Sequence, residues 1–511
     1  MPDSALVLDG GPLNFDDVER VARHGLRVEI GNAARANTDA ARAVIDSQLR
    51  NRDSAIYGVN TGFGSLARIR IADDQVRQVQ LNLIRSHAAG VGEPLADEAV
   101  RAMMLILAAS LCRGCSGVRL QVVHAIVALL NAQVTPVVPS RGSVGASGDL
   151  APLAHAALVL IGEGQARFQG GIVSGSDALA RAGLKPLTLE AKEGLALING
   201  THLMAAIGTL ALCDVDRLCA ASVKSAAMAI DACRATDAFL DERLHVARNQ
   251  PGQRQVAEQL RRDLQGSQII NAHKDGDPRV QDPYCLRATP QVLGAAFDAI
   301  AFVRSVFENE LGAVTDNPLV FAPRDSDHNS QSSIVSGGNF HGMPLAIALD
   351  MLKIALCHIA GIAERRIYWL LAASDSENPV NVYLSPQPGL HSGLMIVQYT
   401  AAACCNELQT LAHPASPHNI PTCAGIEDYN SMGATSAHQA SAAVELAASV
   451  IACELLVMTE AMEYQRPLRS GAGVERIFQA VRNVVPRLTQ DRPPAPDIAA
   501  IRDLIKQNGL R

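Results

Sequence analysis

Residues 142–155 read Gly142-Ser143-Val144-Gly145-Ala146-Ser147-Gly148-Asp149-Leu150-Ala151-Pro152-Leu153-Ala154-His155. Four of the first seven are Gly or Ala, so the backbone can enter left-handed and tightly turned conformations at little steric cost. The pattern then switches to helix, with Leu150, Leu153, Ala154, Ala157, Leu158 and Ile161 at three- and four-residue spacing. Asp149 stands just before that run, where a carboxylate can cap free N–H groups. Within the loop, Ala146-Ser147-Gly148 offers unusual chemistry. A Gly amide nitrogen is the least hindered backbone nucleophile, and in a tight bend Gly148 N reaches the carbonyl carbon of Ala146. Loss of one water closes a five-membered ring. Loss of a second from Ser147 leaves an exocyclic methylidene, an electrophile that no ordinary side chain supplies. On spacing alone, a plain turn or an anion-binding helix N-terminus fits the same residues.

The chain around this loop has 511 residues, enough for a large core. Hydrophobic residues make up 48% and charged residues 19%, which excludes a disordered chain. Aromatics are only 4% while Ala and Leu abound, favouring helix over strand. The net charge of −7 and the lack of a basic run argue against a nucleic-acid partner. The 11 cysteines are scattered without framework spacing. Cys112-Arg113-Gly114-Cys115 has no second pair, so no metal site is expected. Cys404 and Cys405 on an Ala-rich run are expected in the core. Residues 1–14 show no basic-then-apolar signal pattern, and no charge-free apolar run reaches ~20 residues. A cytoplasmic protein without a membrane-spanning helix is therefore expected.

Six further places invite a chemical reading beside a structural one. Tyr57 opens a Gly-rich loop, Tyr57-Gly58-Val59-Asn60-Thr61-Gly62-Phe63-Gly64, and is either a structural plug or a group delivered by a mobile lid. An unperturbed Tyr has a pKa of ~10, so a lid base needs a site that lowers it. Ser86-His87 precedes a small-residue bend, and a lone His there is either a core residue or a polar reader. Asn199 in Leu197-Ile198-Asn199-Gly200-Thr201 suits a helix end and leaves its amide free to point inward. Gln281, Tyr284 and Arg287 recur at three-residue spacing and can share a face of a helix or turn. The Arg287 fork suits a carboxylate, although a surface Arg fits the spacing equally. Phe340 follows Gly337-Gly338-Asn339, and Glu427 lies in Gly425-Ile426-Glu427-Asp428-Tyr429. The polar run from Arg324 to Ser333 reads as a flexible loop.

The run GSVGASGDLAPLAH, with the blocks at 57–64, 86–87, 196–201 and 280–287, resembles the aromatic amino acid lyase family over almost the whole chain. That family comprises ammonia-lyases and 2,3-aminomutases. The resemblance implies an all-α fold of long antiparallel helices, the fumarase/aspartase-like bundle of the histidine and phenylalanine ammonia-lyases. It implies that Ala146-Ser147-Gly148 cyclises by itself to 4-methylideneimidazol-5-one (MIO), with no external cofactor. It also implies a homotetramer in which several subunits supply each site. Tyr57 becomes the base, joined in the catalytic set by Ala146, Ser147, Gly148 and Tyr284. His87, Asn199, Gln281, Arg287, Phe340 and Glu427 become the substrate-binding set.

Ser86-His87 and Glu427 match the histidine-specific branch, so elimination of ammonia from L-histidine to give trans-urocanate is the expected activity. Ile426, Tyr429 and the stretch 379–391 depart from that branch and keep another aromatic substrate, or an aminomutase, in play. A helical binding protein without activity is the more distant alternative. By sequence the chain divides into residues 1–200, carrying both loops, a long-helix region 201–465, and a helical tail 466–511.

Overall fold

The structure is a computed structural model, and it describes residues 5–50, 56–323 and 332–510. Most of the polar run from Arg324 to Ser333 lies outside the described residues. Among those described are 19 α-helices and four small sheets of two or three strands, so the nearly all-α expectation holds. They fold as two compact units. The first contains Met1–Leu210, Ser305–Leu349 and Ala415–His438. The second contains Ala211–Arg304, Asp350–Pro414 and Gln439–Arg511.

The first unit holds the helices that flank the Gly/Ala/Ser loop. The apolar region 95–130, whose periodicity reads as largely helical, forms two helices, Asp97–Cys112 and Leu120–Asn131. All but the first two residues of Asp97–Cys112 are buried, which suits its nearly unbroken apolar sequence. Leu150–Leu160 follows the loop directly. The Gly-rich, polar segment 164–176, which reads as a surface hairpin or loop, pairs Gln165–Phe168 with Gly171–Ser174 through a two-residue turn at Gln169-Gly170. A small apolar cluster of Val44, Ile45, Val59, Val76 and Val320 anchors the Tyr57 loop through Val59.

The second unit is built on long helices with charged groups at their cores. Arg366 and Glu454, both fully buried, form an ion pair. Arg366 also donates from Nη1 to Thr289 Oγ1 at 3.2 Å and to the Cys285 carbonyl at 3.4 Å. Such pairing lets a buried guanidinium persist away from water. No charge-free apolar run reaches ~20 residues, but the expectation of no helix with the length and composition of a membrane span needs correction. Thr289–Glu310, Met343–Ala372 and Gly433–Met462 are each long and apolar enough to cross a membrane by length and composition. A charge-free run is too strict a requirement, because an isolated charge can be neutralised by a neighbour, as Lys353 is by Asp350 at 2.7 Å. In the last two of these helices, 67% and 72% of the most apolar window is buried within the fold. Cys404 and Cys405 lie on Met395–Leu411 and are half-buried, so they are not the core thiols expected.

Candidate active site

The loop 142–149 is held from two sides within the first unit. Gly200 N donates to Ser147 O at 3.1 Å and Asp149 N donates to Gly200 O at 2.7 Å, so residues 147–149 run parallel to 199–201. Gly148 has φ +74°, and a Cβ there would lie 2.1 Å from Gly200 O, so only glycine fits this approach. On the other side Met432 N donates to Val144 O at 3.0 Å.

Asp149 does not cap its own helix. Its Oδ2 accepts from Leu203 N and Met204 N at 2.9 and 3.0 Å, in the first turn of His202–Ala232. Its Oδ1 accepts from Ser143 Oγ at 2.9 Å. With φ −99° and ψ 55°, Asp149 lacks the extended backbone that turns a cap side chain back onto its own helix. Burial raises the Asp149 carboxyl to about 6, against the pull of these three donors.

Ser147, Glu427 and His87 share one neighbourhood. Ser147 Oγ donates to Glu427 Oε1 at 3.5 Å. Glu427 Oε2 accepts from Thr422 Oγ1 at 2.7 Å, and Thr422 N donates to the Glu427 carbonyl at 2.9 Å, which fixes the carboxylate's direction. His87 Nδ1 lies 2.9 Å from the Leu83 carbonyl. A carbonyl only accepts, so Nδ1 carries the proton and Nε2 is left as an acceptor. Burial lowers the His87 pKa, partly offset by that carbonyl and by the charge of Glu427, so the ring is neutral at pH 7.

Asn199 closes the helix Glu193–Ile198 and is 3% exposed. Its Oδ1 is buried without a hydrogen-bond partner among the described residues. Phe340 is half-buried. The next residue, His341, places Nε2 2.9 Å from the Tyr429 carbonyl and stacks on the Tyr429 ring.

The Tyr57 hydroxyl accepts from Gly64 N at 3.3 Å, and its ring meets Phe63 edge-on. The expected lowering of its pKa is not met by these surroundings. Burial raises it, and Glu427 and Cys423 add to the rise, with only the Gly64 N–H acting against them.

Gln281, Tyr284 and Arg287 belong to the second unit. Tyr284 and Arg287 lie on the short helix Tyr284–Arg287, with the guanidinium 4.6 Å from the centre of the Tyr284 ring, so these two share a face as their spacing predicts. Arg287 Nε is buried without a partner among the described residues, whereas Tyr284 is 73% exposed. The segment is pinned from behind by Arg366 on the Cys285 carbonyl, and by Asp282, whose carboxylate accepts from Thr236 N and Oγ1 at 3.0 and 2.7 Å. Asp282 and Arg366 escape a reading of the sequence because their partners, Thr236 and Cys285, lie 46 and 81 residues away and leave no local pattern. Cys423, close to Glu427, escapes it likewise, because its partner Ser65 lies 358 residues away.

The model of the family described as aromatic amino acid lyase matches residues 13–483. A histidine ammonia-lyase of Koribacter versatilis is 48% identical over 511 residues, covering 99% of this chain and 98% of the relative. A crystal structure of histidine ammonia-lyase from Trypanosoma cruzi superimposes with a TM-score of 0.90 at 38% identity, covering 99% of this chain and 94% of the other. A tyrosine aminomutase from Streptomyces globisporus gives a TM-score of 0.91 at 32% identity, covering 99% and 98%.

Proposed function

Since the chain belongs to the aromatic amino acid lyase family and is a carbon–nitrogen lyase, we propose that it removes ammonia from L-histidine to give trans-urocanate. The observation that carries the substrate is the approach of Glu427 to Ser147, with His87 within its field. A substrate imidazole bound there meets two acceptors, His87 Nε2 and the Glu427 carboxylate, and its neutral form donates its one N–H to either of them. A phenyl ring has no donor to satisfy them, and leaving them unpaired on desolvation carries a cost of about 1–3 kcal/mol.

The residues around 146–148 fit an MIO group. Gly148 is pressed against Gly200, and the Asn199 carboxamide oxygen is buried and unpartnered among the described residues. Asn199 would hold the ring, which supplies an electrophile for the substrate amine. Tyr57 Oη takes the β-proton, and its loop closes to exclude water. The Tyr57 pKa rises within its own chain, so the lowering must come from positive charge that arrives with the substrate or with another subunit. Arg287 pairs with the α-carboxylate, and Gln281 and Tyr284 orient it; Phe340 packs beside the ring. The active form is a homotetramer in the cytoplasm, without membrane or nucleic acid, in which Gln281, Tyr284 and Arg287 reach a neighbour's Ser147.

The test is to incubate the purified protein with a panel of L-amino acids and follow ammonia and the unsaturated acid. Histidine should give both. Intact mass should fall two waters short of the sequence, and Ser147→Ala should abolish both the deficit and the activity. Tyr429, 64% exposed beside His341, favours a second reading, a lyase or 2,3-aminomutase for tyrosine or phenylalanine. A β-amino acid product with little free ammonia would establish the aminomutase. A full-length mass without activity would leave a helical binding protein.

A further inference from the structure

We propose that Cys423 is a positioning residue for the Tyr57 loop. Its sulfur receives the Ser65 amide and fills the space that a side chain at position 64 would need. The inference rests on the reading of Tyr57 as the proton acceptor, and it adds a residue to that reading.

Ser65 N donates to Cys423 Sγ at 3.3 Å. A Cβ on Gly64 would lie 2.6 Å from that sulfur and within 4 Å of no other heavy atom outside its chain neighbours, so the sulfur alone occupies the position. Gly64 also has φ +54°, a region that side chains disfavour. One residue back along the loop, Gly64 N donates to the Tyr57 hydroxyl at 3.3 Å. The sulfur therefore touches the backbone segment that holds the phenol.

The sulfur is presented by a turn in which Cys423 and Ala424 both have positive φ, +50° and +54°. Non-glycine residues hold that conformation only where their surroundings dictate it. Here Gly425 N donates to Thr422 O at 3.0 Å and Ile426 N to Cys423 O at 3.1 Å. The turn is closed by Thr422, which binds Glu427 through both its N–H and its hydroxyl. The same short turn thus carries the acid that faces Ser147 and the sulfur that seats the Tyr57 loop. Misplacing the loop should lower turnover while leaving the carboxylate clamp at Arg287 untouched.

The full-length protein carries the test, with Cys423→Ala, Cys423→Ser, Gly64→Ala and the double variant Gly64→Ala/Cys423→Ala. Two readouts are used: steady-state kinetics on L-histidine, and hydrogen exchange of the 57–66 segment without substrate. Cys423→Ala should lower kcat about tenfold with KM within about twofold, since small displacements of a catalytic group already cost this much, and should speed exchange at Ser65. Cys423→Ser keeps a small acceptor and should return kcat to within about threefold of the parent. Gly64→Ala should lose about a hundredfold, and the double variant should recover part of that loss because the sulfur is gone. Wild-type kcat and exchange in Cys423→Ala, or a double variant no more active than Gly64→Ala, overturns the proposal. Exchange is read without substrate, so an unmutated protein inactive on histidine would refute the substrate while exchange still decides the role of Cys423.

Discussion

Asp149 caps a helix to which it does not belong: Met204 N donates to its Oδ2 at 3.0 Å, beside Leu203 N at 2.9 Å. One carboxylate thus joins the 142–149 loop to the start of His202–Ala232, and with it to the Asn199-Gly200 segment. Replacing Asp149 with Ala leaves two buried donors unpaired and should cost about 2–3 kcal/mol. Thermal unfolding checks the cost. Intact mass of the same sample should show a smaller fraction short of two waters, because the bend at Gly148 is no longer braced.

The alkaline side of the rate profile follows from Tyr57. Its surroundings raise its pKa, so most of the phenol is protonated at neutral pH. kcat/KM for histidine should therefore climb from pH 7 to 9, and Tyr57→Phe should lower kcat by about 10²–10⁴-fold. A flat profile across that range would assign the proton transfer to another group.

On the proposed reading, Glu427 and His87 set the preference for an imidazole. Glu427→Gln keeps the shape but removes the charge, and should lower kcat/KM for histidine by about 10–100-fold. His87→Phe should weaken histidine further and raise the relative rate with phenylalanine. The comparison of the two substrates, run on each variant, is the measurement. Burial holds His87 neutral, so its own titration should not contribute above its ordinary pKa.

On the proposed reading, Arg287 of one subunit pairs with a substrate bound at another's Ser147. Arg287→Lys loses the bidentate fork and should raise KM about tenfold with a smaller change in kcat. Co-expressed Tyr57→Phe and Arg287→Ala chains should recover activity that neither has alone. They do so only if the two groups of one site come from different subunits.

Away from the site, Asp231 in the second unit accepts from Ser267 Oγ at 2.9 Å and also from Ser470 Oγ, and burial raises it to about 6. A carboxyl raised in the folded state keeps its proton while the unfolded chain releases it. Its contribution to stability therefore falls as pH rises from about 4 to 6 and is level above that. Asp231→Asn does not titrate. The stability of the parent relative to this variant should decline by up to about 3 kcal/mol across that window. Denaturant melts at four pH values would show it, and a constant difference would refute it.

Much of the fold is legible in the residues alone. Long Ala- and Leu-rich runs with few aromatics favour helix, so the runs 205–237, 341–371 and 433–463 read as helices, and the structure forms His202–Ala232, Met343–Ala372 and Gly433–Met462. The Gly/Ala/Ser loop announces a tight bend, and the Gly-rich segment 164–176 reads as a hairpin or loop, of which the structure forms the hairpin.

Local sequence thus determined where helices run, which loops can bend sharply, and which side chains are candidates for the chemistry, because propensity and side-chain type act over a few residues. Only the tertiary structure decided which helix Asp149 caps and which way the Tyr57 pKa moves. It also decided that one turn carries both the Glu427 carboxylate beside Ser147 and the Cys423 sulfur beside Ser65. Those outcomes depend on burial and on partners up to several hundred residues away, such as Ser65 and Cys423, and these enter only once the chain has packed.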